Sequence, residues 1–303
     1  MRQSFARAGV GRLCKLFGKT RHAYYEKNWY AQQRYTDEQI IVELLTTLRL
    51  EIPVQSTKSI YLMLKPTLRA HGITIGRDSL HAIRKRYNLL KRPKRRFFKT
   101  TDSFHRYYKY PNLIKEMSIA SVNQVWVCDI TYIRVGHGFN FLSLITDAYS
   151  HLIVGYCLHE TLAAEGSMIA LRMAITALPE NTTGLIHHSD RGIQYCCDQY
   201  VNELKSRNIQ SSMTEKGDPY QNAIAERLNG ILKDNFELGE TFTCRENALT
   251  AVDRSIKAYN YLRPHQSVSM LTPATAHQYQ GELKRHWKKK SYKARDHPAG
   301  ATN

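Results

Sequence analysis

The chain has no apolar stretch approaching the ~18 residues that a membrane span requires. Its opening residues, Met1-Arg2-Gln3-Ser4-Phe5, offer no apolar core for a secretion signal. The six cysteines, at 14, 128, 157, 196, 197 and 244, form no C-x-x-C pair, and Cys196 and Cys197 are adjacent. That spacing argues against a zinc site and against a disulfide framework, and leaves reduced thiols as the default. Acidic residues are scarce: 26 Asp and Glu stand against 44 Lys and Arg, a net +18 over 303 residues. These absences predict a soluble, cytoplasmic protein with no membrane partner.

The positive charge is segregated. Residues 1–120 hold 25 Lys and Arg against 8 Asp and Glu, a charge of +17. Residues 121–280 hold 12 against 16, or −4, and residues 281–303 hold 7 against 2, or +5. Solubility alone does not require this division. A mildly acidic centre between basic arms fits a unit that needs carboxylates for metal, flanked by segments that hold a polyanion such as nucleic acid.

Residues 1–34 read as a short helical segment with a helix-turn-helix outline. Val10, Leu13 and Phe17 keep helical spacing, Gly18 breaks the run, and Thr20 caps a second short helix ending near Tyr25. A plain helical hairpin fits that pattern as well. Residues 35–95 read as a helix-turn-helix DNA-binding domain. Thr36-x-x-Gln39 is a capping-box pattern ahead of the stripe Ile40, Ile41, Leu44 and Leu45. A second helix spans roughly 57–70, with Pro66 as a candidate kink. Asp78 is positioned to cap a third, Ser79 to Leu89, carrying Arg84, Lys85 and Arg86. A basic final helix after a tight turn suits a major-groove reader; a small bundle with solvated charges is the bland alternative. Lys91, Arg92, Lys94, Arg95 and Arg96 then form a dense run suited to phosphate contact. Residues 96–118 read as a basic, aromatic linker.

Residues 119–280 carry an α/β rhythm. Strands are predicted over 125–133, 139–147 and 151–158, joined so closely that an antiparallel meander follows. A helix over 162–178 with Ile169, Met173 and Leu178 inward comes next. Then follow a short buried strand over 184–188, a helix over 197–208, a strand over 209–214, a turn-rich loop and a helix from Ala223 to Glu237. Periodicity alone supports an α/β domain with an antiparallel part. Residues 281–303, with Trp287, read as a basic, disordered tail.

Three acidic residues stand out. Asp129 ends the apolar run Val125-Trp126-Val127-Cys128, Asp190 ends Leu185-Ile186-His187-His188-Ser189, and Glu226 lies on the 223–237 helix. Carboxylates at strand ends and on a nearby helix can converge on a pair of Mg²⁺ ions, which bind through few carboxylates. A lone Asp at a strand end is more often a cap or turn residue. On the helix, Ile224, Leu228, Ile231 and Leu232 share one face, while Asn222, Glu226, Asn229 and Lys233 share roughly the opposite one. Spacing does not choose between an ordinary solvated face and one with Glu226 on metal and Lys233 and Asn229 on DNA.

The surrounding blocks discriminate. Trp126-Val127-Cys128-Asp129-Ile130-Thr131-Tyr132-Ile133 resembles the first catalytic strand of the retroviral-integrase-like transposases. His188-Ser189-Asp190-Arg191-Gly192-Ile193-Gln194-Tyr195 is similar to their second block, and Gly217 through Glu226, with Lys233 seven residues on, to their third. Tyr259-Asn260-x-x-Arg263-Pro264-His265, then Leu271-Thr272-Pro273, resembles their closing block. The likeness spans about residues 115–276, and the helical region before it resembles the second-frame protein of bacterial insertion sequences.

The resemblance implies a ribonuclease-H-like integrase core, a mixed sheet flanked by helices, preceded by an all-α helix-turn-helix region. It implies a DDE transposase with Asp129, Asp190 and Glu226 as catalytic and metal-binding residues, served by two Mg²⁺ or Mn²⁺ ions. Such an enzyme cleaves double-stranded DNA at the element's ends and transfers the freed 3′-hydroxyl to another phosphodiester. His188, Asn222, Tyr195, Arg263 and His265 become supporting residues: His188 behind the ligands or simply buried, Asn222 ordering the loop into the helix, Tyr195 packing or touching DNA, Arg263 and His265 meeting DNA or fixing the C-terminal helix. Implied partners are element and target DNA, a homo-oligomer assembled on DNA, and a first-frame protein or a frameshift fusion with it; nucleoid association follows when DNA is bound. The alternatives are a ribonuclease-H-like nuclease or resolvase that cuts without joining, and a non-enzymatic DNA-binding regulator.

Overall fold

The structure, a computed structural model, describes residues 9–90, 106–215 and 222–286. The chain divides into two compact units, Met1–Lys94 and Arg95–Asn303.

The first unit is helical. α1 spans Val10–Leu16 and α2 spans Arg21–Glu51. Thr20 caps α2, its hydroxyl accepting from the Ala23 amide at 3.0 Å. The helix does not stop near Tyr25, however; it continues for 31 residues, because no Gly or Pro interrupts 21–51. Thr36 therefore sits inside α2, and its hydroxyl donates to the Gln32 carbonyl at 3.2 Å instead of capping a new helix. The boundary expected between 34 and 35 falls within one continuous helix.

α3, Thr57–Ala70, begins at Ser56, whose hydroxyl accepts from Ser59 N at 3.2 Å, and runs through Pro66 without ending. α4, Arg77–Arg86, starts after Gly76 with no side-chain cap. Asp78 lies in its first turn, accepting from Arg77 at 2.9 Å, so it is not the cap. Ile41 and Leu45 of α2, Leu64 and Leu68 of α3 and Leu80 of α4 close one core.

In the second unit β1 (Val125–Val135), β2 (Gly138–Asp147) and β3 (Ile153–His159) form the expected antiparallel meander. α5 (Ala164–Thr176) leads to β4 (Ile186–Ser189), then α6 (Ile193–Cys196), α7 (Asp198–Ser206) and β5 (Gln210–Met213). α8 (Ala223–Asn235), β6 (Thr241–Phe242), α9 (Arg245–Tyr261) and α10 (Pro273–His277) complete it. The sheet order is β3-β2-β1-β4-β5, with β6 pairing β1 beyond β1's contact with β4, and β4, β5 and β6 run parallel to their partners. This is the mixed, helix-flanked sheet of a ribonuclease-H-like core.

Side chains alternate along a strand. Trp126 and Cys128 join the core that holds Leu171 of α5 and Tyr200 and Leu204 of α7. Val125 and Val127 join the core that holds Ala225 of α8. Asp129, two residues beyond Val127, is thereby directed to the α8 side.

α5 is rotated from its expected facing, although Leu178, just beyond its end, does pack on the core as expected. Ile169 and Met173 are 43% and 42% exposed, while Met168, Ala170, Leu171, Ala174 and Ile175 are buried. The cause lies in β3: a Cβ on Gly155 would strike the Ala170 carbonyl oxygen and Ala174. Close approach to a bare backbone selects the small-residue row of α5, not the row of largest apolar side chains.

The stretch expected to be a free linker is partly docked. Met213 N donates to the Pro111 carbonyl at 3.2 Å and Leu113 N to Ser212 Oγ at 2.9 Å. Ile114 and Met117 pack against the Val125–Ala225 core. Residues 106–118 therefore belong with the second unit. The basic run at 91–99 and the tail from 287 lie outside the described residues.

Candidate active site

β1 and β4 pair in parallel with Val127 opposite His188. Asp129 lies two residues beyond Val127 on β1, and Asp190 two residues beyond His188, just past the end of β4. Asp129 Oδ1 accepts from the Ile130 amide at 2.9 Å and Oδ2 from Asn229 Nδ2 of α8 at 2.7 Å. Asp190 Oδ1 accepts from Gly192 N at 3.0 Å. A Cβ at Gly192 would come within 3.0 Å of that carboxylate oxygen and 2.9 Å of Gln194 Oε1, so glycine permits this tight turn.

Glu226 stands in the first turn of α8 with its carboxylate exposed. Partial desolvation beside the core nevertheless raises its pKa. Asp129, only partly open to solvent, is raised further, to about 7. Burial is the leading cause, followed by the negative charge of Asp190, with Glu226 adding to it; the hydrogen bonds from Ile130 and Asn229 oppose the rise. The three acids are thus electrostatic neighbours. Among the described residues no three His, Cys, Asp or Glu side chains are drawn together closely enough to hold a metal ion.

Lys233 is half-buried; burial lowers its pKa while the charges of Asp129 and Asp234 pull it back up. Asn229 is not on a solvated face. It is buried, with its amide nitrogen on Asp129, so the expectation of a DNA contact gives way to a contact within the site. Asn222, also buried, donates to the Cys128 carbonyl at 3.0 Å and ties the start of α8 to β1.

Behind the acids lies a closed layer. His188 is buried, with Nδ1 2.9 Å from Ser212 Oγ. His187 Nε2 faces both the Cys128 thiol at 2.8 Å and the Tyr200 hydroxyl at 2.9 Å. Burial pushes the Cys128 thiol and the Tyr200 hydroxyl well up, keeping both protonated. Tyr195 is buried and packs against the His187 and Tyr200 rings, so it is a core residue with no access to DNA. His265 is buried and stacks on His151 at 4.7 Å, while the Arg263 guanidinium lies over the Tyr259 ring at 6.0 Å. The His265 stack ties the segment after α9 to the β2–β3 corner, whereas the Arg263 contact stays within the C-terminal segment.

In the helical unit, Arg84 is only 5% exposed. Its guanidinium donates to Thr57 Oγ1 at 2.7 Å and to the carbonyls of Gln55 and Leu89 at 3.0 and 3.3 Å. It is an internal brace between α3 and α4 and is unavailable to a phosphate. Lys85 is exposed. Arg86 is exposed but paired with Glu38 at 2.5 Å. Lys91, Arg92, Lys94, Arg95 and Arg96 lie outside the described residues.

Residues 120–219 and 207–273 each match a model of the integrase core domain. The transposase InsF of insertion sequence IS3A from Escherichia coli (strain K12) is 33% identical over 210 residues, covering 68% of this chain and 72% of that protein. The chain belongs to the insertion-sequence transposases. Its function is DNA transposition, an enzymatic cleavage and transfer of DNA strands by an integrase core. A protein of insertion element IS600 from Shigella sonnei, described as an uncharacterized 31 kDa protein, is 35% identical to this transposase over 272 residues, 86% of the chain and 96% of that protein. Among solved structures, the HTLV-2 integrase catalytic core domain in complex with magnesium aligns at 18% identity over 53% of this transposase and 99% of that chain, with a TM-score of 0.42. A simian T-cell lymphotropic virus intasome in complex with a PP2A regulatory subunit aligns at 17% identity, 78% and 81% coverage and a TM-score of 0.46.

Proposed function

We propose that Asp129, Asp190 and Glu226 are the catalytic carboxylates and hold two divalent cations, Mg²⁺ or Mn²⁺, during cleavage and joining at the ends of the element. The observation that carries this reading is the parallel pairing of Val127 with His188, from which Asp129 and Asp190 each lie two residues on; the charges of Asp190 and Glu226 both act to raise the pKa of Asp129. All donors are carboxylate oxygens, which suits a hard cation. The raised proton affinity of Asp129 fits as well, because crowded carboxylates without a cation favour protonation. When bound, the ions activate the attacking oxygen and stabilise the leaving oxygen of an in-line displacement.

The chain's own residues have complementary tasks. Asp129 is oriented by two donors, and Asp190 by the Gly192 amide. Lys233, within the field of Asp129, meets a DNA phosphate. Water attacks the first phosphodiester and frees a 3′-hydroxyl; that hydroxyl attacks a second phosphodiester, forming one P–O bond as another breaks. The helical unit holds double-stranded DNA through Lys85 and the basic run after it. Two element ends require a homo-oligomer on DNA, and a first-frame protein, separate or fused, is a further partner. The protein works in the bacterial cytoplasm, on the nucleoid when DNA is bound.

The test is cleavage and joining of labelled DNA carrying the flanking terminal repeats, with Mg²⁺, for the parent and Glu226→Gln. Metal-dependent nicking and joined product, both lost in the variant with DNA affinity kept within a few-fold, are expected. A variant that cleaves at the parent rate overturns the triad; nicking without joining replaces transposition by simple hydrolysis.

A further inference from the structure

α8 is fastened to β1 at two points that bracket Glu226. Asn222 Nδ2 donates to the Cys128 carbonyl at 3.0 Å, and Asn229 Nδ2 to Asp129 Oδ2 at 2.7 Å. The spacing of four and then three residues puts Asn222, Glu226 and Asn229 on one side of the helix. Both amides are buried, at 7% and 8% exposure.

Each amide also leaves an acceptor unused. Asn222 Oδ1 and Asn229 Oδ1 are buried and have no hydrogen-bond partner among the described residues. With Asp129 ionised, as cation binding requires, the carboxylate only accepts, so the nitrogen of Asn229 faces it and the oxygen lies on the other side of the amide. A buried acceptor without a donor is costly and calls for one, such as a water or a hydroxyl brought by the substrate.

We propose that Asn229 is a positioning residue for Asp129: it fixes the carboxylate's orientation for cation binding and docks the helix of Glu226 to the strand of Asp129. The inference rests on the carboxylate triad proposed above. An isolated Asp can rotate about χ1 and χ2; one held at Oδ2 by Asn229 and at Oδ1 by Ile130 keeps one orientation. The same bond places Glu226, one turn earlier on α8, at a fixed distance from Asp129. Partners of this kind typically change metal affinity by 10–100-fold when removed. A DNA contact at Asn229, in contrast, would change DNA affinity and leave metal affinity alone.

The test is Mn²⁺ binding to the full chain without DNA, followed by electron paramagnetic resonance, for the parent, Asn229→Leu, Asn229→Ala and Asp129→Asn. DNA-end affinity is measured on the same proteins without metal. The alanine variant guards against a steric defect in the leucine one, and circular dichroism checks that both fold. Binding by the parent and its loss in Asp129→Asn test the triad. Given those, a roughly tenfold or greater weakening of Mn²⁺ affinity in a folded Asn229 variant, with DNA affinity within twofold, supports the positioning role. Parent-like Mn²⁺ affinity in a folded Asn229 variant overturns it, whether or not DNA affinity falls. A parent that binds no Mn²⁺ overturns the triad and this inference together.

Discussion

The Asn260 side chain pairs with both main-chain groups of Ile153, accepting from its amide and donating to its carbonyl, each at 3.0 Å. Ile153 opens β3 beside a register shift in the β2–β3 ladder, so α9 completes hydrogen bonding that the sheet leaves unfinished there. Replacing Asn260 by Leu strands two buried main-chain groups. The expected cost is about 2–4 kcal/mol of stability, read from denaturant unfolding of the full chain. A loss below about 0.5 kcal/mol contradicts this bond's role.

The neighbouring His151 makes the same corner sensitive to acid. Burial lowers its pKa from 6.5 to about 4; the charge of Asp147 works against that shift and Arg285 adds to it. The unfolded chain therefore binds the proton first, and stability falls as pH drops from about 6.5 to about 4, by up to about 3 kcal/mol. His151 has a φ of 61°, which asparagine tolerates. Urea unfolding across this range gives a shallower pH dependence for His151→Asn; an unchanged slope assigns the acid sensitivity elsewhere, with the stacked His265 first in line.

Asp129 has the opposite sign. Its pKa in the fold, about 7, lies above its ordinary 3.8, so the folded chain holds the proton longer. Stability from this group is present at pH 4 and is lost as pH rises toward 7. Without divalent cation, Asp129→Asn is expected to exceed the parent by about 1–3 kcal/mol at pH 8, discounted for the partial exposure of the carboxylate, and to match it at pH 4. Melting curves at the two pH values decide the matter, and equal stability at both removes the claim.

Arg84 and Lys85 are adjacent and separable. Arg84→Met leaves the Gln55 and Leu89 carbonyls without their donor and is expected to destabilise the helical unit by about 2–4 kcal/mol. Lys85→Ala is expected to change stability by no more than about 0.5 kcal/mol, yet to reduce the slope of log affinity against log salt by about 0.9. Paired unfolding and salt-titrated binding curves distinguish them; an unchanged slope for Lys85→Ala removes it from the DNA interface.

The sequence made the catalytic sheet readable because period-two burial and short turns are local. Val125–Asp129 showed both its strand and the acid that closes the apolar run within it. What stayed hidden depended on partners distant in the chain. The facing of α5 is set by Gly155, on another element. Asn229 looked solvated because helical spacing could not show that Asp129 lay opposite it. Arg84 carried the charge of a DNA contact, and only the carbonyls around it reveal a brace. Asp147 shows the limit of a strand-end acid as a signal. It ends β2, but it is fully buried, and hydrogen bonds from Ser150 and Asn123 occupy it within a turn.

The margin of a sheet offers open hydrogen-bonding groups to any passing strand. On the β5 side of this one, Pro111 receives the Met213 amide and has no N–H of its own to offer onward. The residues leading into the core therefore act as a selvedge, finishing the fabric at that side. At Met213 a further strand finds the amide already taken, so the sheet does not invite extension there.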